Sequence, residues 1–388
     1  MQIKISFLSL LFLVTFVLDS NAQQRKYVNE YMNIGVGARG LGMSGAQVAS
    51  VTDVTAAFWN PAGIAYQNTD MQLGIMHSEY FSSIAKYDYV GVTFPLKNRK
   101  GVIGFSAIRF AVDDIPYTIN LVQPDGTVDY SKVRSISSAD YGGLISYARP
   151  VLVKKWQDRE DINLMWGTNF KIIHRNVGTM ASAWGVGLDF GLQGRFGRWK
   201  LGAVVRDIST TYTVWSFNLT ELEKQVFTQT ENEIVSRSSE VNTPRLILGG
   251  GRVFPINKKL SILGEANLDI TTDGNRYANL INVKPFSVDP RLGAEVNYNN
   301  KVFLRTGIGQ FQRVSTDADT TGEDMRTLFQ PTVGLGVQIK NFAIDYSFSS
   351  LNIESSPLYS HFISLKLDIR NKARAKKLKE SQSATPNQ

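Results

Sequence analysis

The chain has 388 residues, no cysteine and a formal net charge of +8. Without thiols there are no disulfides, thiolate metal sites or cysteine nucleophiles. Much of the positive charge is local, in Arg370, Lys372, Arg374, Lys376, Lys377 and Lys379, which reads as a solvated tail, so no nucleic-acid partner is expected.

Residues 1–22 have the form of a secretory signal peptide: Lys4 at the charged start, Phe7 to Leu18 as the apolar core, and Ser20-Asn21-Ala22 as a small-residue cleavage site. The apolar run is too short for a membrane helix, and no later stretch qualifies as one. An exported chain with many amphipathic strands and no spanning helix points to the outer membrane of a Gram-negative bacterium.

The segment 23–69 is rich in glycine. Gly35-x-Gly37-x-x-Gly40 and Gly40-x-Gly42-x-x-Gly45 both satisfy the dinucleotide fingerprint literally. That pattern has meaning only after a buried strand and before a helix, which is not its setting here, so no cofactor is expected. Glycine here suits backbone packed on backbone inside a crowded lumen.

From residue 70 to 370 the chain reads as about fourteen segments of alternating apolar and polar residues. Trp184, Val186, Leu188, Phe190 and Leu192 share one face; Gly185, Gly187, Asp189, Gly191 and Gln193 share the other. Val333, Leu335, Val337 and Ile339 likewise oppose Gly334, Gly336 and Gln338. The segments 73–81, 102–110 and 246–254 alternate poorly. A barrel this wide cannot fill its centre with apolar side chains, so the apolar face is expected outward, toward lipid. The competing fold is a soluble β-sandwich. Tyr147, Trp156, Trp199, Trp215 and Tyr298 sit near segment ends, where interfacial girdles form.

Gly197-Arg198, Asn299-Asn300 and Lys340-Asn341 read as two-residue turns, with slightly longer links at Lys97 to Gly101 and Pro255 to Lys259. Long polar loops fall near 113–135, 210–241, 272–287 and 313–328. Strict alternation of short and long links is expected, with short turns and both termini in the periplasm. The fold class is therefore all-β: a transmembrane antiparallel barrel over 70–370, an N-terminal lumenal plug over 23–69, and a basic, disordered tail over 371–388.

The loop 210–241 carries its own helical signal. Thr220 and Glu223 have capping-box spacing, and Leu219, Leu222 and Val226 share a face. With Trp215, Phe217 and Phe227 they form a candidate partner or ligand loop; packing on the barrel rim is the other reading. Asp317 and Asp319 mimic the start of a calcium loop, but Leu328 stands where a bidentate glutamate belongs. Only His77, His174 and His361 are present, in separate segments and with no nucleophile pattern, so no enzyme activity and no metal site is expected. Arg195, Arg206, Glu265, Asp269, Glu295 and Arg305 should face the lumen and hold the plug; lining a solute path is the alternative.

Gly40, Gly42 and Gly45, followed by Asn60-Pro61-Ala62-Gly63, resemble the N-terminal plug of FadL-like outer-membrane barrels. Trp215 to Thr220 and Thr243 to Gly249 are similar to segments of the PorV/PorQ branch of that superfamily, found in Bacteroidetes. The resemblance implies a fourteen-strand barrel with its N-terminal segment in the lumen. It also implies a part in type IX secretion, receiving cargo by its C-terminal signal domain at the translocon and passing it to surface-attachment machinery. Its partners would then be a translocon subunit, cargo signal domains and outer-membrane lipid. The alternative is a FadL-like transporter of fatty acids or other hydrophobic solutes, with fatty acid or lipopolysaccharide as ligand.

Overall fold

The structure, a computed structural model, describes residues 28–97, 100–123, 125–156, 160–234, 236–272, 281–283, 285–315, 325–351 and 358–370. The expected signal peptide, the basic tail and the Asp317–Asp319 loop lie outside them. Among the described residues, seventeen hydrogen-bonded segments make one antiparallel sheet. Two crossings are each split in two, and one three-residue segment, Ile281–Val283, pairs only with the first residues of the strand that follows it.

Fourteen crossings remain. They are β1 (Met71–Tyr80), β2 (Ala85–Pro95), β3 (Val102–Tyr117), β4 (Arg134–Trp156), β5 (Glu160–Val177) and β6 (Ala181–Phe196). Next come β7 (Trp199–Arg206 and Thr211–Phe217) and β8 (Arg237–Asn242 and Arg245–Pro255). The rest are β9 (Leu260–Thr271), β10 (Phe286–Tyr298), β11 (Val302–Ser315), β12 (Met325–Ile339), β13 (Phe342–Leu351) and β14 (Leu358–Ile369). The sheet closes where β1 pairs with β14, from Met71 opposite Ile369 to Glu79 opposite His361. Closure leaves no unpaired sheet edge, which the hydrocarbon core of a bilayer requires.

The outer face carries the apolar set. Ile75, Val90, Phe105, Ile145, Phe170, Val186, Leu201, Leu248, Leu268, Leu304, Leu335 and Ile363 are all exposed and alternate with lumen-facing residues. The lumen face carries buried polar side chains such as Gln72, Thr93, Ser146, Asn169, Gln193 and Asn267. An apolar exterior around a polar, occupied interior is the arrangement of an outer-membrane barrel, not of a sandwich. No described helix is long and apolar enough to cross a membrane; the chain crosses with strands.

The three weakly alternating segments are genuine strands. Val102 and Ile108 of β3, and Met76 and Tyr80 of β1, turn apolar side chains inward against the plug. Apolar residues on both faces erase the period-two signal.

The turns need two corrections. Gly197-Arg198 and Lys340-Asn341 are two-residue links, but Tyr298 pairs with Val302, so the Asn299 turn has three residues. Asn299 and Asn300 both take left-handed backbone there, which asparagine tolerates. Strict short–long alternation also fails, because β1–β2 and β5–β6 are joined at the end opposite the first and last strand termini by 81–84 and 178–180 only. Left-handed Phe81, Ser82 and Ser83 make the first of these tight, and Gly178 the second.

The splits in β7 and β8 lie side by side. Asp207 to Thr210 bulges out of β7 with left-handed backbone at both ends. Opposite it, Pro244 lacks the N–H that would continue the β8 ladder.

Candidate functional site

The lumen is filled by residues 28–69, which fold as short turns of helix: a 3-10 turn at Glu30–Asn33, α1 (Ala38–Leu41), α2 (Ala56–Trp59) and a second 3-10 turn at Pro61–Tyr66. Most of this segment is buried. It approaches the wall most closely where two glycines face each other across adjacent strands, with its backbone at three such places and the Val54 side chain at the fourth. Gly74 and Gly91 are register partners beneath Val54; Gly167 and Gly191 lie beneath Asn60-Pro61-Ala62; Gly202 and Gly249 lie beneath Val48-Ala49; Gly293 and Gly307 lie beneath Met43-Ser44. A Cβ on Gly202 would sit 2.5 Å from the Val48 carbonyl oxygen, and one on Gly293 would sit 2.8 Å from that of Met43. The expected close packing is therefore built from both sides. Gly42 meets Gly334 of β12, Gly40 faces Gln47, and Gly45 lies against Arg291 and Trp59.

An irregular backbone buried at membrane depth must have its polar groups satisfied by protein. Wall side chains do this. Gln193 donates to the carbonyls of Ala49 and Val51 at 2.7 and 2.9 Å. Glu265 accepts from the Ala49 N–H at 2.7 Å, Ser364 from that of Ala38 at 3.0 Å. Asn169 donates to Ala57 and Thr332 to Gly42. Asn60 works in the other direction. Its amide donates to Val48 inside the plug and to Leu192 of β6, while its carbonyl caps the Ala62 N–H of the following turn. Pro61, as the first residue of that turn, loses no needed donor. Ala62 and Gly63 are fully buried there, with Gly63 closing onto Val51 and Gln193.

The six charged residues read from the sequence face the lumen and divide into two roles. Arg206 donates to the Met32 and Phe58 carbonyls, Glu295 pairs with Arg39 of the plug at 2.9 Å, Glu265 holds Ala49, and Arg195 stacks 3.8 Å over the Tyr66 ring. Arg305 and Asp269 act one step back: Arg305 braces Glu295 at 2.7 Å, and Asp269 pairs with Arg245. Lys171 with Asp189 and Asp207 forms a further buried cluster that the alternation did not reveal.

The two halves of the lumen differ. From β1 to β4 the wall is largely apolar and aromatic, and Met76, Tyr80, Tyr87, Tyr89, Ile108 and Leu144, with Ile173 of β5, pack on Tyr31, Met32, Phe58 and Trp59, while β5 also turns Asn169 and Lys171 inward. From β6 to β13 it is charged and amide-rich. Beside the charged half lies a cavity of about 210 Å3, lined by Glu30, Asn33, Arg245, Asp269, Asp289 and Arg291 with Tyr80 and Phe311. The neighbouring voids of about 20 Å3 hold no more than a water or two.

In the loop that splits β7 from β8, the helix expected after residue 219 is α3 (Glu221–Gln229), and both arms of its capping box are present between Thr220 and Glu223. Glu223 is buried and also accepts from the Tyr117 hydroxyl at the end of β3, which latches two loops together. Burial pushes the Glu223 carboxyl up, but the Tyr117 hydroxyl and Thr220 pull harder, and it rests below the ordinary glutamate range. Leu222 is exposed; Val226 and Phe227 are half-buried; Leu219 is half-buried just before the cap. Trp215 and Phe217 belong to the end of β7, not to the loop. Trp215 is buried, stacks on Phe217 and lies 5.0 Å from the Arg175 guanidinium, because inward positions of β7 alternate through it. The three histidines lie on the outer faces of β1, β5 and β14, with His77 and His361 two register positions apart on paired strands. His77 pairs with Asp88, His174 stacks on Trp184, and His361 accepts or donates to Tyr346.

Fold and lumen together define a plugged outer-membrane β-barrel with fourteen crossings. No family model and no curated protein matches the chain. Among solved structures it is similar to the CymD monoaromatic hydrocarbon channel, with 11% identity, a TM-score of 0.51, and coverage of 87% of this chain and 98% of that one. A Pseudomonas aeruginosa FadL homologue (12% identity, TM-score 0.49, 86% and 98% covered) and the Pseudomonas putida toluene transporter TodX (12%, 0.47, 86% and 98%) are also similar. At such identity the likeness to CymD is one of fold, and it agrees with the FadL-like architecture read from the plug motif.

Proposed function

We propose that this barrel passes hydrophobic solutes across the outer membrane, past a plug that is held by side chains and not fused to the wall. The observation that carries this reading is the apolar half of the lumen. It runs from Tyr80 at the extracellular end of β1, past Tyr87, Ile108 and Leu144, to Val102 and Ala148 at the periplasmic ends of β3 and β4. Such a strip suits an apolar solute, which gains about 25 cal/mol for each Å2 it removes from water. The chemistry named for CymD, a monoaromatic hydrocarbon, belongs to the same class. In this conformation Tyr31, Phe58 and Trp59 cover the strip, so passage requires part of the plug to move. The test is uptake of toluene or a long-chain fatty acid by cells carrying the full-length protein in place of their own hydrophobic transporters. Uptake no faster than in cells without it sinks the proposal.

A second reading, a trafficking barrel of the PorV/PorQ branch, is favoured by a different observation. The voids around the plug are small or lined by ion pairs, and the plug is tied on every side. A sealed lumen suits a barrel whose work is done by its loops. In that reading α3 and the loop after β3 dock type IX cargo signal domains and a translocon subunit. Affinity purification from native membranes separates the two: secretion components co-purify on this reading, and bound fatty acid alone on the first.

A further inference from the structure

The two rims of the barrel carry opposite charge. Among the described residues of the short periplasmic turns, Lys97, Lys100, Arg198, Lys258, Lys259, Lys301 and Lys340 are basic and none is acidic. The long extracellular loop around α3 instead carries Glu221, Glu223, Glu231 and Glu233 against Lys224. The basic end meets the inner leaflet of the outer membrane.

One point on that rim is more than a charge. Arg252 of β8 and Trp199 of β7 are register partners on the outer face. The Arg252 guanidinium lies 4.9 Å from the Trp199 ring and 5.2 Å from that of Phe254, and all three side chains are exposed. Arg252 has no carboxylate partner among the described residues. Arg198 stands next to it on the turn, its carbonyl accepting from Val253 at 2.9 Å. On the other side the register partner of Arg252 is Gly264, where an added Cβ would meet nothing within 4 Å. A shallow groove therefore leads from the guanidinium into the apolar band.

We propose that Arg252, stacked on Trp199 and Phe254 and joined by Arg198, binds the phosphate of an anionic phospholipid in the inner leaflet, with an acyl chain along the groove at Gly264. Aromatic stacking holds the planar guanidinium at the interface with its N–H groups free, and a guanidinium matches a phosphate by paired donors. The inference rests on the barrel and its orientation, not on which solute or cargo the protein handles.

The test uses full-length protein in detergent, titrated with phosphatidylglycerol, phosphatidylcholine or inorganic phosphate and read by native mass spectrometry. Phosphatidylglycerol should be retained in preference to phosphatidylcholine, and the preference should fall about fivefold for each arginine removed in Arg252→Gln and Arg198→Gln. Unchanged preference in the double variant overturns the site. So does complete competition by inorganic phosphate, which would make it a free-anion site. If the double variant loses heat-modifiable gel migration, Trp199→Leu with Arg252→Lys keeps the charge and removes the stack. That variant should lose most of the preference, and full retention overturns the proposal equally.

Discussion

Gly202 of β7 and Gly249 of β8 face each other across the sheet as register partners, and the Val48-Ala49 backbone of the plug rests on both. Neither position has room for a side chain. The same pairing recurs at three other places on the wall, so the plug is seated by the absence of side chains and then tied by the amides and carboxylates around each seat.

Filling a seat should unseat the plug and leave the barrel. In Gly202→Val the new side chain meets the Val48 carbonyl, a backbone atom that cannot swing aside. Overpacking of this kind costs about 1–3 kcal/mol. The expected outcome is a lower midpoint for the heat-modifiable gel shift and greater sensitivity to a large antibiotic such as vancomycin. Gly264→Ala, on the open outer face, should leave both unchanged.

Asn60 joins three backbones. Asn60→Ala removes the donors to Val48 and Leu192 and the acceptor for Ala62. Each buried group left unpaired costs about 1–3 kcal/mol. Denaturant unfolding of the purified protein should show a clear loss, and a midpoint equal to that of the parent would count against this account of the Asn-Pro-Ala turn.

Glu295 holds Arg39 of the plug and Arg305 of the wall at once. Glu295→Ala leaves Arg39 without its carboxylate and Arg305 with Asp345 alone, and should cost about 3–5 kcal/mol. Removing both members of the plug–wall pair leaves Arg305 on Asp345, so Arg39→Met with Glu295→Leu should be less destabilised than Glu295→Ala. Strict additivity in unfolding midpoints would argue that the pair does not couple plug to wall.

The α3 latch should respond to acid. The Glu223 carboxyl sits below its ordinary value of 4.5, so its contribution is complete above that pH and fades as pH falls through the lower, folded value. Hydrogen exchange over 221–229 should therefore be flat from neutral pH down to about pH 5 after correction for intrinsic rates, and rise below it. Tyr117→Phe should raise exchange at neutral pH and weaken the acid step. A step centred near pH 6 in the parent would point to another group.

Much of the architecture was open to a reader of the chain alone, because period-two alternation is a local property of an extended backbone. Val333 to Ile339 shows its lipid face without reference to any other strand, and Thr220 with Glu223 announces the start of α3. Segment number and length then suffice for a barrel, but link length does not sort its two ends, because 81–84 and 178–180 are short as well. The folded lumen decided the rest. Which wall glycine lies under which plug residue depends on contacts between residues well over a hundred positions apart, such as Gly202 with Val48 or Thr332 with Gly42. No local pattern encodes such a pairing. The same contacts hid β1 and β3, since Met76 and Ile108 serve the plug with apolar side chains where a water-filled barrel would carry polar ones. They also placed Trp215 inside the wall, because strand or loop is settled there by the partner strand, Arg237 to Asn242, and not by Trp215 itself.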